Sequence, residues 1–370
     1  MKIENVITGI KKTRRVPLID KDGHPVQTVP QAVTALSRLQ TLRSENTLPI
    51  LIRTPKFADY ANRYLDLIPV GDTHTKPKKP GTIEKEKAIL GRWADFLGDL
   101  RIDQIKRIHV NRFIESRIKE NVSSRTINLD VIALRVVLKR ALSDGYLQRL
   151  PTEGLKPLKT STRRRELFTT AKLEILCKTA FQTKQNAAGK RISITENAQQ
   201  FTDYIQLMAY CGARRNEALG VQWSDVDFTN GLLHIRRQIT RHGIQDLKNR
   251  KDRTVDFNAK LKALLVEMKK RRAPDSAWLF PSSQRGAKDI PAKTFRESLQ
   301  LVRIKAGLPD FNFHDLRHHF VSMCVMAGID FMTIAAWVGH EDGGVLIGKV
   351  YGHIANKHRQ TMAKKIRFNE

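Results

Sequence analysis

The chain has 370 residues, 41% of them hydrophobic, and 66 Lys and Arg against 37 Asp and Glu give it a net charge of +29. That length exceeds one compact core and predicts two domains plus an appendage. The apolar fraction excludes a disordered basic tail, so the charge predicts a polyanionic partner, nucleic acid first and an anionic membrane surface second.

No apolar run approaches the ~18 residues of a spanning helix, and the N-terminus shows no signal-peptide core. Cys177, Cys211 and Cys324 are few, odd in number and set in apolar helical patterns. A disulfide framework is not expected, and a soluble protein in a reducing intracellular compartment is. The cysteines lack metal-ligand spacing, and no His-Glu-x-x-His motif or carboxylate cluster appears, so a metal-dependent nuclease has no visible ligands.

Residues 1–52 form an N-terminal extension. Lys11, Lys12, Arg14 and Arg15 are a basic run, Val16 to Val29 reads as a hairpin about Asp22-Gly23, and a helix is expected from about Gln31 to Arg43. The extension is either a small arm-type DNA-binding segment or a packing extension. Residues 53–150 read as helical. Phe57, Tyr60, Ala61 and Tyr64 share one face; Pro77 and Pro80-Gly81 break the pattern, and Thr82 is the expected N-cap of a helix bearing Leu90, Trp93 and Leu97. A further helix carries Val110, Phe113, Ile114 and Ile118. Ser123 or Ser124 opens another with Ile127, Val131, Leu134, Leu138 and Ala141 on one face, and Gly145 ends it. Basic outer faces on this bundle suit a phosphate backbone. Residues 151–166 read as a basic interdomain linker containing Arg163, Arg164 and Arg165.

Residues 167–370 read as a second domain with a C-terminal tail. Thr169 or Thr170 caps its first helix, residues 182–196 read as a polar loop, and Phe201, Tyr204, Ile205, Met208 and Ala209 define an amphipathic helix ending at Gly212. A new helix opens near Arg214, where free backbone N–H groups would make an anion site. Asn230-Gly231 predicts a hairpin between 226–228 and 232–235. A third strand, 253–257, is expected after a tight loop that leaves Lys248 at a strand end. Helices follow through Leu261, Leu264, Leu265 and Met268, and through Phe295, Leu299 and Val302. His314 and Arg317 are three apart, so a helix would send both side chains from one face. Asp330 caps a helix that Gly339 ends; His340 follows, then Gly343-Gly344, a flexible segment, and Tyr351, the only tyrosine after Tyr210.

In this order, six positions resemble the tyrosine recombinase (phage integrase) family. Gly212-Ala213-Arg214-Arg215-Asn216-Glu217 is similar to its Gly-x-Arg-x-x-Glu box. Lys248 with the trailing Arg253-Thr254-Val255 resembles its β-hairpin lysine and Arg-x-Val. His314-Asp315-Leu316-Arg317-His318 matches its His-x-Leu-Arg-His box, Val338-Gly339-His340 resembles its Leu-Gly-His box, and Tyr351 stands where the nucleophile does. Ser124-Arg125-Thr126-Ile127-Asn128 resembles the start of the last long helix of the family's core-binding domain. The likeness covers roughly residues 54–362, and the spacing from His340 to Tyr351 is longer than the common one.

The resemblance implies a mainly α fold with a small antiparallel β-sheet: a helical, SAM-like core-binding domain and a tyrosine-recombinase catalytic domain. It implies a recombinase that cleaves and rejoins DNA through a 3′-phosphotyrosyl intermediate. Arg214 and Arg317 would hold the phosphate, Lys248 would act as general acid, His314 would assist proton transfer, His340 would hydrogen-bond the phosphate, and Tyr351 would attack. No metal, ATP or other cofactor is implied. The implied partners are double-stranded DNA, a homotetramer on paired sites, and accessory DNA-bending or directionality proteins, in the bacterial cytoplasm on the nucleoid. Two alternatives stay open: a type IB topoisomerase-like enzyme, and a catalytically silent DNA-binding regulator.

Overall fold

Helix starts in this chain are set by short polar side chains that satisfy otherwise free backbone N–H groups. Ser123, Thr169, Asn197, Asn258, Asn312 and Asp330 each accept such a bond two or three residues on. The computed structural model describes residues 2–4, 11–13, 18–20, 24–44, 54–71, 77–160, 168–185, 191–195, 197–247, 251–272, 275–282, 289–345 and 347–348. The chain divides into two compact units, Met1–Arg163 and Arg164–Glu370.

In the first unit, β1 (Lys2–Glu4) pairs antiparallel with β2 (Lys11–Thr13), a pairing the apolar pattern does not announce. An isolated bridge joins Ile19 to Pro25 inside the expected hairpin. Helix α1 runs from Val29 to Ser44. Four helices then form a bundle: α2 (Phe57–Leu67), α3 (Pro80–Leu97), α4 (Arg107–Lys119) and α5 (Ser124–Ser143). Helix α3 starts before Thr82 because Pro80 occupies its first position, where a fixed φ suits the helix and no N–H is lost. Trp93 stacks on Phe113 with ring centroids 3.6 Å apart, and Phe57, Ile68, Leu90, Leu134 and Leu138 close the core around them.

The second unit is organised on α7 (Ala198–Cys211), whose Phe201, Tyr204, Ile205, Leu207 and Met208 are all buried. Before it come α6 (Thr170–Ala180) and a short pair, β3 (Thr183–Gln185) with β4 (Arg191–Ser193). That pair replaces part of the expected 182–196 loop: the strands are polar and three residues long, below what an alternating apolar pattern can signal. After α7 come α8 (Arg215–Leu219), β5 (Val226–Asp227) and β6 (Leu232–Ile235), the last two joined about Asn230-Gly231 as the turn residues require.

The third strand follows the short segment 247–252, of which residues 248–250 lie outside the described residues, but what precedes that segment was not expected. The chain first makes another hairpin, β7 (Arg237–Thr240) with β8 (Gly243–Asp246), in which Ile239 faces Ile244. Only then does β9 (Arg253–Asp256) return to pair with β6, giving the sheet order β5-β6-β9. The insertion has its own turn signal, Gly243 with φ near +90°. Helices α9 (Ala259–Lys270), α10 (Arg296–Lys305), α11 (Phe313–Met326) and α12 (Phe331–Val338) complete the described part, with α7 packed against α6, α9 and α11. No described helix is long and apolar enough to cross a membrane.

The fold is therefore mainly α with small antiparallel sheets. The three cysteines are free, and burial pushes the thiols of Cys177 and Cys324 up to about 12 and that of Cys211 to about 11. None is an activated thiolate.

Candidate active site

The site begins where α7 stops. Gly212 takes the left-handed conformation (φ +66°), and a Cβ there would run into the Phe320 ring, so glycine is required twice over. The break turns the chain so that Arg214 precedes α8. At this helix start, where an anion site is expected, one backbone N–H is already used: Glu217 Oε2 accepts the Arg214 N–H at 2.8 Å. Oε1 of the same carboxylate accepts from Arg214 Nη1 at 2.8 Å. Arg253, first residue of β9, donates through Nη2 to Oε2 at 2.5 Å. Burial alone would raise the Glu217 carboxyl. The hydrogen bond and charge of Arg253, then the charge of Arg214, outweigh it and hold the group at about 2.

Helix α12 supplies the opposite wall. It ends at Gly339 in the left-handed conformation (φ +67°), and its terminal carbonyls are the negative end of the helix. Three arginines from three segments donate to three successive carbonyls. Arg253 Nε reaches Trp337 O at 2.7 Å, Arg317 Nη2 reaches Val338 O at 2.6 Å, and Arg214 Nη2 reaches Gly339 O at 3.3 Å. Arg317 Nη1 also donates to Gly212 O at 2.8 Å, tying α11 to the turn before Arg214.

His340 follows directly, its N–H bonded to Ala335 O at 2.9 Å. Its Nδ1 is buried and finds no hydrogen-bond partner among the described residues. Burial, then the charges of Arg317 and Arg214, push its pKa below the ordinary value of 6.5. It is a neutral imidazole at pH 7, able to donate from one nitrogen and accept at the other.

His314 and Arg317 share α11 but not an environment. Arg317 is 4% exposed and turned into the unit, while His314 is exposed at the helix start, its ring edge-on to His318 at 4.5 Å. The helical spacing brings them close, yet tertiary packing claims only the arginine. His314 and Arg214 line one cavity of about 590 Å³ with Arg215, Arg296, Arg303 and Asn312. Four of the six expected positions, Arg214, His314, Arg317 and His340, thus belong to this region; Lys248 and Tyr351 lie outside the described residues. Glu217 and Arg253 were legible only as box letters. Their shared ion pair joins positions 36 apart in the chain, which no spacing rule reveals. Among the described residues no group of His, Cys, Asp or Glu could hold a metal ion.

Comparison with known proteins agrees with this geometry. Residues 193–358 match the Phage integrase family, and residues 80–145 match the phage integrase N-terminal SAM-like domain. Similar proteins include a tyrosine recombinase XerC-like protein of Caldanaerobacter subterraneus subsp. tengcongensis, 22% identical over 312 residues and covering 76% of each chain. The ICEBs1 integrase of Bacillus subtilis is 22% identical over 307 residues, covering 78% of each. Among solved structures, the Tn1549 transposon integrase in complex with circular intermediate DNA superimposes with a TM-score of 0.67 at 17% identity, over 85% of this chain and 100% of that one. A lambda integrase tetramer bound to a Holliday junction gives 0.60 at 13% identity, over 94% and 91%. The two matched segments, the curated relatives and the shared fold lead to one assignment: the chain belongs to the tyrosine recombinase (phage integrase) family of site-specific recombinases.

Proposed function

We propose that this protein integrates or excises a mobile element, such as a prophage or genomic island, by cutting and rejoining DNA through a 3′-phosphotyrosyl intermediate. The observation that carries the reading is the convergence of Arg214, Arg317 and a neutral His340 on the end of α12. Fixed guanidiniums suit nonbridging phosphate oxygens, and they act where charge develops in the transition state. In the proposed step the Tyr351 oxygen attacks a backbone phosphorus and the bond to the 5′ oxygen breaks. Lys248 protonates that leaving oxygen, while His314 assists removal of the tyrosyl proton. Attack by a 5′-hydroxyl of another strand reverses the step and frees Tyr351. The phosphodiester energy is kept in the protein–DNA bond, so no ATP enters the balance.

Double-stranded DNA is the proposed partner, with four protomers on two sites; the DNA-bound transposon integrase and the lambda integrase tetramer are similar in fold. Accessory bending or directionality proteins would bias the outcome. Residues 53–150 serve as the core-binding domain, 167–370 as the catalytic domain, and 151–166 as a basic linker between them. A protein with this work belongs on the nucleoid, in the cytoplasm. The test is to incubate the full chain with fragmented genomic DNA of its source, quench with detergent, and sequence the DNA left covalently on the protein. A single recurrent sequence linked at Tyr351 is expected. An adduct that persists in Tyr351→Phe overturns the assignment.

A further inference from the structure

The ends of three arginines meet at one helix terminus, but of these only Arg214 lines the cavity. It is 39% exposed at its side chain. Arg317 links Gly212 O and Val338 O. Arg253 is nearly as enclosed as Arg317, but it holds a carboxylate as well as a carbonyl. Its side chain is 9% exposed, it is not a lining residue of the cavity, and both ends of its guanidinium are engaged: Nε on Trp337 O and Nη2 on Glu217. We infer that Arg253 is a positioning residue, which sets Arg214 through Glu217 and sets the Val338-Gly339-His340 turn through the Trp337 carbonyl. This rests on the recombinase reading above.

Three facts make the inference. Glu217 is the acceptor for Arg214 at two points, so where the carboxylate sits decides where the Arg214 guanidinium sits. Among the described residues Arg253 and Arg214 are the two cations on that carboxylate, and Arg253 alone of the pair also bonds Trp337. Finally, Gly339 is packed against the Arg253 side chain: a Cβ at Gly339 would lie 3.1 Å from its Cδ and 3.3 Å from Nε and Nη1. The planar fork of arginine can span a carboxylate and a carbonyl at once, and a lysine ammonium is a single point that cannot hold the same geometry. Three like charges at one helix end would otherwise spread apart; the carboxylate and the carbonyls keep them in register before any phosphate arrives.

The experiment uses the full chain and the duplex mapped by covalent attachment. Arg253→Gln is expected to slow single-turnover adduct formation by about ten- to a hundredfold, the scale of a small misplacement of reacting groups. Affinity for the duplex should stay within about threefold, because the Arg253 side chain is enclosed and lines no part of the cavity. Arg253→Lys should recover part of the rate, which a mere loss of folding support would not give. A wild-type rate in Arg253→Gln, or equal loss of affinity and rate, overturns the proposal. If Arg253→Gln does not fold, Arg253→Lys decides: several-fold slower cleavage supports the proposal and an unchanged rate contradicts it. Should the native protein form no adduct with any DNA, the recombinase reading fails. Positioning is then judged on the DNA-free protein by nitrogen-15 NMR. Restricted rotation of the Arg214 guanidinium is expected in the native chain and free rotation in the Arg253 variant. Restricted rotation in both overturns it.

Discussion

Asp130 and Glu217 are carboxylates buried with two arginines each, one in either unit, yet they are built for different ends. Asp130 on α5 meets Arg92 Nη2 of α3 at 2.7 Å and Arg117 Nε of α4 at 3.4 Å, and its own carbonyl accepts from Trp93 Nε1 at 2.9 Å. Those ties pin three helices together. Glu217 meets Arg214 and Arg253, whose remaining donors run on to the end of α12, and Arg214 lines a cavity shared with His314. A buried carboxylate between arginines is thus no mark of chemistry by itself. What separates the two clusters is their setting: Asp130 ties α5 to α3 and α4, whereas the Glu217 cluster reaches the end of α12 and includes Arg214, which lines a cavity.

The sharpest way to break this comparison is to remove the cavity-side cation. Arg214→Ala should slow covalent adduct formation by about a hundred- to a thousandfold, the loss seen when one oxyanion donor is deleted. The melting temperature should fall less than in Asp130→Ala, since Arg253 stays on the Glu217 carboxylate. Single-turnover cleavage and a thermal melt check the two halves. Asp130→Ala should show the reverse: a loss of about 3–5 kcal/mol from the first unit, because Arg92 and Arg117 lose their buried partner. Its cleavage rate per folded molecule should be unchanged. A urea titration read by Trp93 fluorescence measures the first quantity; a large fall in rate without unfolding would erase the distinction drawn between the clusters.

Acid sharpens it further. Against the pull of burial, the Arg253 and Arg214 guanidiniums hold the Glu217 carboxyl at about 2 in the folded chain, against an ordinary 4.5. The unfolded chain therefore takes up its proton first. The stabilisation is complete above about pH 4.5 and is lost as pH falls toward 2, on the order of 3 kcal/mol in all. Glu217→Gln should flatten that part of the stability profile. The smallest effect concerns His340, whose pKa is depressed by burial and by Arg317 and Arg214. The unfolded state binds that proton more readily, so stability should decline as pH drops below 6.5, and His340→Gln should reduce that slope in a series of melts between pH 7 and 5, leaving the part due to buried His319.

Much of this was legible because local chemistry and fold agreed. Ser123, Thr169 and Asp330 cap helices that the apolar spacing already outlines, Asn230-Gly231 turns the β5-β6 hairpin, and Gly212 and Gly339 end helices at positive φ. What stayed hidden depends on distant partners or on pieces too short to carry a period. The polar β3-β4 pair is three residues a strand, and the β7-β8 hairpin shows one facing apolar pair, Ile239 with Ile244. The Arg214 N–H is capped by Glu217, so the chain supplies its own carboxylate to one N–H of that helix start. The partition of α11, with Arg317 buried and His314 exposed, is set by Gly212 and Val338, residues 105 and 21 positions away.

The central claim, that an aromatic hydroxyl near the C-terminus attacks phosphate held by these arginines, is tested most directly by locating the bond. Detergent-trapped complexes would be digested with nuclease and protease, and the peptide bearing the nucleotide residue sequenced by mass spectrometry. Modification at Tyr351, joined to a 3′-phosphate and absent from Arg317→Ala, is the predicted result. A nucleotide linked to any other residue, or through a 5′-phosphate, would contradict it.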